Sequence, residues 1–326
     1  MSAIPDFSIL VNGEDRSSVF GDRLLSLVLF DNDGETADRV EIELDDRDSR
    51  LVIPDENATV EVSLGFRGAA LTPMGVYYVD GVGGTGPVQR LRITATAADM
   101  KSSIRSPKTR AWENKSLADI VETIAAEVGL KPVVGESVAA TVWSFLAQTG
   151  ESDLHFLSRI TKPLDATAKP AGGTLLVQKR GEGKSAAGDE MPSVGILKSQ
   201  LSQWSWSRDE RKGYGKVFAK WSNTGGGAVE TVTRGAEEPS KTLRTVFGSK
   251  DEAIRACDAA LNGAARGKTS LRAELARFAP DLFAGRSISI SDLRPELSGE
   301  WFLASVTHRL DGSGLNTSFE AKGGTS

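Results

Sequence analysis

Glu151 and Asp153, in "TGESDLHFL", are carboxylates two positions apart, a pair of the kind that acts as general acid and general base in sugar hydrolysis. The same stretch reads as the start of a helix, where carboxylates complement the partial positive charge of the first N–H groups. A helix start accounts for both carboxylates. No catalytic residue is assigned, and the two carboxylates stand as an alternative glycan site.

Cys257 with His155 or His308 would supply a nucleophile and a base, since such pairs meet in space rather than in sequence. Yet Ala253, Ala256, Cys257, Ala260, Leu261 and Ala264 recur on one helix face, which makes Cys257 a small core residue. Two dispersed histidines do not make a metal site, and the expectation is a chain without metal or cofactor. "GVGGTG", at 81–86, matches the spacing of a dinucleotide fingerprint. That motif works by opening a helix whose amides hold a pyrophosphate. Here Pro87 and the strand pattern "VQRLRITAT" follow, so the glycines read as a hairpin loop. "DDRDSR" and "DNDGE" lack the ligand spacing of a calcium loop and read as solvated turns. Lys101, Arg105, Lys108 and Arg110 would suit phosphate or an acidic partner; without interleaved aromatic residues they read as a solvated linker.

The elements that must carry these residues are mostly strands. "RLLSLVLFDNDGETADRVEIELDD" holds two strand patterns around Asn32-Asp33-Gly34, with Val40, Ile42 and Leu44 alternating against Glu41, Glu43 and Asp45. "TVEVSLGF", "GVYYVDGV" and "RLRITATAAD" continue an antiparallel meander, a small barrel or sandwich over residues 1–105. The period then changes. Leu117, Ile120, Val121, Ile124 and Val128 recur at helical spacing, opened by a capping box of Ser116 and Asp119 and stopped at Gly129. With a second helix over "ESDLHFLSRIT" and a strand at "GGTLLVQKR", residues 106–181 read as an α+β insert. A Gly- and Ser-rich connection at 182–196 follows. Strand patterns return over 197–326, interrupted by one helix at about 249–266 that opens with Ser249 and Glu252.

The two β-rich regions share an order: alternating strand, turn-rich loop, Gly before an aromatic strand, Gly-rich hairpin, final strand. They are two copies of one module, or two meanders alike only in outline. Length agrees with several modules, since 326 residues exceed a typical single core. A net charge of −5 argues against a generic nucleic-acid coat. One cysteine forms no intramolecular disulfide, and no secretory pattern opens the sequence, so folding is expected in the cytosol. No apolar run has membrane-spanning length.

In the order "RLLSLVLFDNDGETADRVEIELDDRD", "MGVYYVD", "TATAADMKSSIRSPKTRAWENKSLADIVETIAAEVGL", "ESDLHFLSRI" and "KPAGGTLLV", the chain resembles the phage late control gene D family, the baseplate hub of contractile tails. The "WSWSRD" region and strand order extend the likeness into the second half. The resemblance implies a mostly β, α+β chain with two tube-like antiparallel β-barrels and a small α+β insert between them. It implies a homotrimer whose ring of six similar units adapts a six-fold tail tube to a three-fold central spike. The expected partners are the spike, a tail tube or tube-initiator protein, the tape-measure protein and other baseplate (wedge) proteins. Neither a specific nucleic acid nor membrane insertion is expected. The place is the virion tail baseplate, assembled in the host bacterial cytoplasm, and the role is structural. "AWENKSLADIVETIAAEVGL" is also similar to LysM-like glycan-binding modules, though a scaffold role ranks above sugar binding. The alternatives are a peptidoglycan-binding or peptidoglycan-degrading tail component, and the hub of a phage-derived bacteriocin or injection particle.

Overall fold

The computed structural model describes residues 4–33, 37–56, 58–97, 104, 106–171, 173–181, 191–209, 213–223 and 226–323. Lys101, Arg105, Gly34 and most of the Gly- and Ser-rich connection lie outside the described residues. The chain is mostly β. Its first region runs β1 (Pro5–Val11), β2 (Glu14–Asp15), α1 (Ser17–Gly21), β3 (Leu24–Asn32), β4 (Arg39–Asp45), β5 (Thr59–Phe66), β6 (Thr72–Thr85) and β7 (Arg90–Thr96). Period-2 alternation sets its faces: Val40, Ile42 and Leu44 are buried while Glu41 and Glu43 point outward. Val60, Val62 and Leu64 of β5 and Leu91, Ile93 and Ala95 of β7 fill the same core.

The insert runs β8 (Pro107–Ser116), α2 (Leu117–Glu127), β9 (Lys131–Val134), α3 (Glu136–Ala139), β10 (Val142–Ser152), α4 (Asp153–Thr161), β11 (Ala166–Ala171) and β12 (Thr174–Lys179). Ser116 and Asp119 form the reciprocal capping box at the start of α2. Gly129, at φ +70°, ends it, and the Leu130 N–H donates back to the Ala125 carbonyl at 2.9 Å, the six-to-one bond of a Schellman stop. The apolar stripe of α2 packs with Phe156, Leu157 and Val177 into a core of its own.

The last region runs β13 (Val194–Leu197), β14 (Leu201–Arg208), β15 (Gly215–Asn223), β16 (Ala228–Glu237), β17 (Ser240–Phe247), α5 (Lys250–Gly267), β18 (Thr269–Leu275), β19 (Ser287–Ser291), β20 (Gly299–Asp311) and β21 (Gly314–Gly323). The sequence reading counts the strands at 215–247 with those that follow α5. The structure instead sets β15, β16 and β17 apart as a three-stranded sheet covered by α5, with Val217, Ala219, Val232, Ala253 and Cys257 between the layers.

The remaining strands of both β regions join one 13-stranded sheet, in the order β14-β18-β21-β20-β3-β4-β7-β6-β5-β1-β2, with β13 and β19 attached to the first half of β20. Within it the same pattern occurs twice. β3-β4-β7-β6-β5-β1 matches β14-β18-β21-β20-β19-β13 strand for strand and in chain order. The irregularities match as well. Gly75 and Gly299 take φ +132° and +129° before the aromatic strand. A register shift falls between Val79 and Gly81 in β6 and between Leu303 and Ser305 in β20. Another falls between Leu24 and Ser26 in β3 and between Leu201 and Gln203 in β14. Bulges re-aim strands at fixed points, so their coincidence identifies two copies of one module rather than two unrelated meanders. The copies differ at one edge, where β1 runs antiparallel to β5 but β13 runs parallel to β19.

Candidate functional site

The seam between the copies is the pairing of β20 with β3, from Ser305 opposite Asn32 to Asp311 opposite Ser26. β20 uses its first half for β19 and its second half for β3. Leu27 and Leu29 of β3 are buried there beside Phe278, Leu310 and Leu315 from the second copy. His308 lies in the seam with Nδ1 2.9 Å from Thr317 Oγ1, and burial pulls its imidazole down to about 4.

The insert closes over one end of this seam. Lys169, on β11, is buried and donates to Asp31 Oδ1 at 2.8 Å, to the Asn32 carbonyl at 3.2 Å and to both Asp38 oxygens at 3.4 Å. Asp31 also accepts the Ala284 N–H at 2.8 Å, which ties in the second copy. Burial, then the neighbouring Asp31 charge, push Asp38 up to about 7, against the pull of Lys169. Arg180 of the insert adds a 2.9 Å bond from Nε to Asp33 Oδ2. Three parts of the chain thus converge on the end of the β3–β4 hairpin, a place the sequence reading takes for a solvated turn. The one visible signal is a lysine between an alanine and a proline in "ATAKPA".

Asp153 is fully buried at the first residue of α4. Lys108 Nζ donates to its Oδ2 at 2.5 Å, Arg110 Nη2 to Oδ1 at 2.6 Å and Gln148 Nε2 to Oδ1 at 2.8 Å. Glu127 closes the network, accepting from Lys108 at 2.7 Å and Arg110 at 2.6 Å. Burial draws the Lys108 ammonium down, but its bonds to Asp153 and Glu127 leave it raised overall. Burial likewise pushes Glu127 up, and the two cations bring it below its ordinary value. Lys108 and Arg110 are therefore not linker cations: they lie on β8, which pairs with β10, and point at one buried charge.

Glu151 accepts from Arg159 at 3.1 Å and 2.5 Å and lies 3.7 Å from His155 Nδ1. Both carboxylates of the alternative glycan site are thus occupied by cations of the insert itself. Ser152, between them, caps α4 through the His155 N–H at 3.3 Å.

Cys257, His155 and His308 lie in three separate places. Cys257 is in the core under α5, where burial pushes its thiol up, His155 is on the outside of α4 and His308 is in the seam. Among the described residues no group of three or more His, Cys, Asp or Glu could hold a metal ion. The glycines at 81–85 are not a loop, as the sequence reading has it, but the second arm of β6, paired with β7 from Gly81 opposite Thr94 to Thr85 opposite Arg90. Gly81 is required by close approach: a Cβ there would lie 2.5 Å from Thr94 Oγ1.

These features describe a scaffold of duplicated sheet, seam and clamped insert. Known proteins are similar to this chain in sequence or in fold. A probable baseplate hub protein of Escherichia phage 186 is 28% identical over 361 residues, covering 98% of this chain and 93% of that protein. One from Escherichia phage P2 is 28% identical over 357 residues, covering 97% and 92%. The tail protein of Neisseria meningitidis MC58 has the same fold, with a TM-score of 0.74 at 13% identity over 98% of this chain and 96% of that one. The phage tail baseplate hub (GPD) family matches residues 40–314, which bears out the resemblance read from the sequence. The chain belongs to the phage tail baseplate hub (GPD) family.

Proposed function

We propose that the chain is the structural hub of a contractile tail, a homotrimer in which two modules per chain make a ring of six similar units. The observation that carries this reading is the internal repeat with its matched bulges. Three chains alone give three-fold symmetry; a duplicated module lets the same three chains present six nearly equivalent positions. One face of the ring then meets a six-fold tail tube or tube-initiator and the other a three-fold central spike, with a channel for the tape-measure protein. Residues 1–105 hold the first unit, and β13, β14 and β18 to β21, within 194–323, form the second. The insert at 106–181 follows the first and a linker at 182–196 leads back, so the insert sits outside the ring toward wedge proteins of the baseplate. Assembly takes place in the host bacterial cytoplasm.

The work is mechanical. Glu151 and Asp153 are committed to Arg159, Lys108 and Arg110, which supports an architectural use of both rather than glycan chemistry. The overall negative charge suits a channel that does not retain DNA through phosphate contacts.

Light scattering of the purified chain, alone and with the spike protein, tests the reading. A mass three times 34.7 kDa is expected for the chain alone, or that mass plus the spike's in the mixed sample. A single-chain mass in both would overturn it.

A further inference from the structure

In a chain of net charge −5, cations collected in one place call for a cause. A cavity of about 750 Å³ lies where the insert, α5 and the second module meet, with β17 along one side. Its wall carries seven lysines and arginines against two aspartates.

Both aspartates are already taken. Asp33 accepts from Arg180 Nε at 2.9 Å, and Asp165 accepts from Arg266. Arg159 turns to Glu151, which is outside the wall. Four exposed cations remain. The Lys241 ammonium lies 3.1 Å from the Tyr214 hydroxyl, a neutral partner. Lys162, Arg244 and Lys322 make no ion pair or side-chain hydrogen bond among the described residues. They come from the turn after α4, from β17 and from β21, so the fold, not a run in the sequence, collects them. Like charges gathered round one cavity repel one another, and an anionic ligand removes that repulsion.

Between the cations the floor is apolar. Ala256, Ala260 and Gly263 recur at helical spacing on α5, and Leu243, Phe247 and Phe302 share the wall with them. This combination points to one kind of anion. Phosphate sites draw on helix N-termini and backbone nests. Here α5 presents its middle and its C-terminal half, where the helix dipole is negative, and the start of α4 is capped by its own Ser152. The positive potential therefore comes from side chains set around an apolar strip, which suits carboxylates spaced along a chain with apolar residues between them.

We propose that this cavity binds an acidic peptide segment of a partner protein in extended form, its carboxylates meeting Lys162, Lys241, Arg244 and Lys322 and its apolar side chains resting on the α5 face between Ala256 and Gly263. Such a site needs neither the trimer nor the ring of six units, so it holds or fails separately from the hub reading.

Fluorescence polarisation of the full chain with a labelled peptide that alternates glutamate with phenylalanine tests the site. Saturable binding that weakens with added salt is expected. Lys162→Glu with Arg244→Glu should weaken it by about tenfold for each reversed charge. Reversing two exposed lysines away from the cavity, Lys131→Glu with Lys198→Glu, should leave it nearly unchanged. Gly263→Leu separates shape from charge. A Cβ at Gly263 meets nothing within 4 Å and leucine is the better helix former, so thermal unfolding should hold or rise while binding falls by about tenfold or more. No binding at low salt would overturn the proposal. Equal losses in the two double variants would overturn it too, as the mark of general charge attraction, and so would undiminished binding in Gly263→Leu. Tripolyphosphate that displaces the peptide at equal or lower concentration would give the cavity to a small polyanion instead of a peptide. A peptide alternating lysine with phenylalanine that binds as well would refute the charge complementarity.

Discussion

Replacing Lys169 by Met removes the cation set between Asp31 and Asp38 while keeping an unbranched apolar stem in its place. The ammonium, which is buried, stands 2.8 Å from Asp31 Oδ1 and 3.4 Å from Asp38. Removing one partner from such a site leaves uncompensated buried charge, which costs about 3–5 kcal/mol. The pH dependence separates this cause from simple loss of packing. Asp38 is raised to about 7 in the folded chain, above its unfolded value. The folded state therefore holds more protons than the unfolded one across that interval, and this group's contribution falls as pH rises from about 4 to about 7. Without Lys169 that interval extends further upward. The variant should thus lose about 3–5 kcal/mol near pH 8 and much less near pH 5, where a protonated Asp38 no longer repels Asp31. His308, lowered to about 4, contributes the opposite slope between its unfolded and folded values, and it cancels when variant and parent are compared at each pH. Urea unfolding followed by tryptophan fluorescence gives both differences. Equal losses at the two pH values, or a loss below about 1 kcal/mol near pH 8, would refute the argument. Adding Asp38→Asn should recover part of the loss at the higher pH.

Asp153→Asn leaves Lys108 and Arg110 facing a neutral amide and should destabilise the insert by about 3 kcal/mol, read from hydrogen exchange in α4 and β10. Gly81→Val drives a side chain into Thr94 and should cost about 1–3 kcal/mol in the first module, with Thr94→Ala restoring part of it in thermal unfolding. Glu151→Gln should change neither glycan binding nor peptidoglycan turnover, both at background in the parent chain; activity in the parent that disappears in the variant would revive the enzymatic alternative.

Local signals in the sequence carry most of the fold. Alternation in "RVEIELD", the capping boxes and the Gly129 stop place β4, α2 and α5 because neighbouring residues alone decide period and caps. Cys257 is read rightly as core for the same reason. The site is less legible. Asp38 and Lys169 are 131 positions apart, and nothing in either segment announces the other. Lys108 and Arg110 look like solvated cations because their partner Asp153 is 45 and 43 positions away. β15 and β17 have ordinary strand patterns, and periodicity does not say which sheet a strand joins. The duplication is visible in outline, down to the Gly before each aromatic strand, but its proof lies in the matched bulges, which leave little trace in residue type.

The seam between β3 and β20 belongs to a single chain, and that sets what it must supply. Tethered strands meet at an effective concentration of about millimolar or more, so they pair without needing much affinity of their own. A buried histidine and a cluster of like charges are tolerable there because the tether, not the contact, brings the halves together. Two free chains have no such help. Any junction between them must be held by its own apolar area.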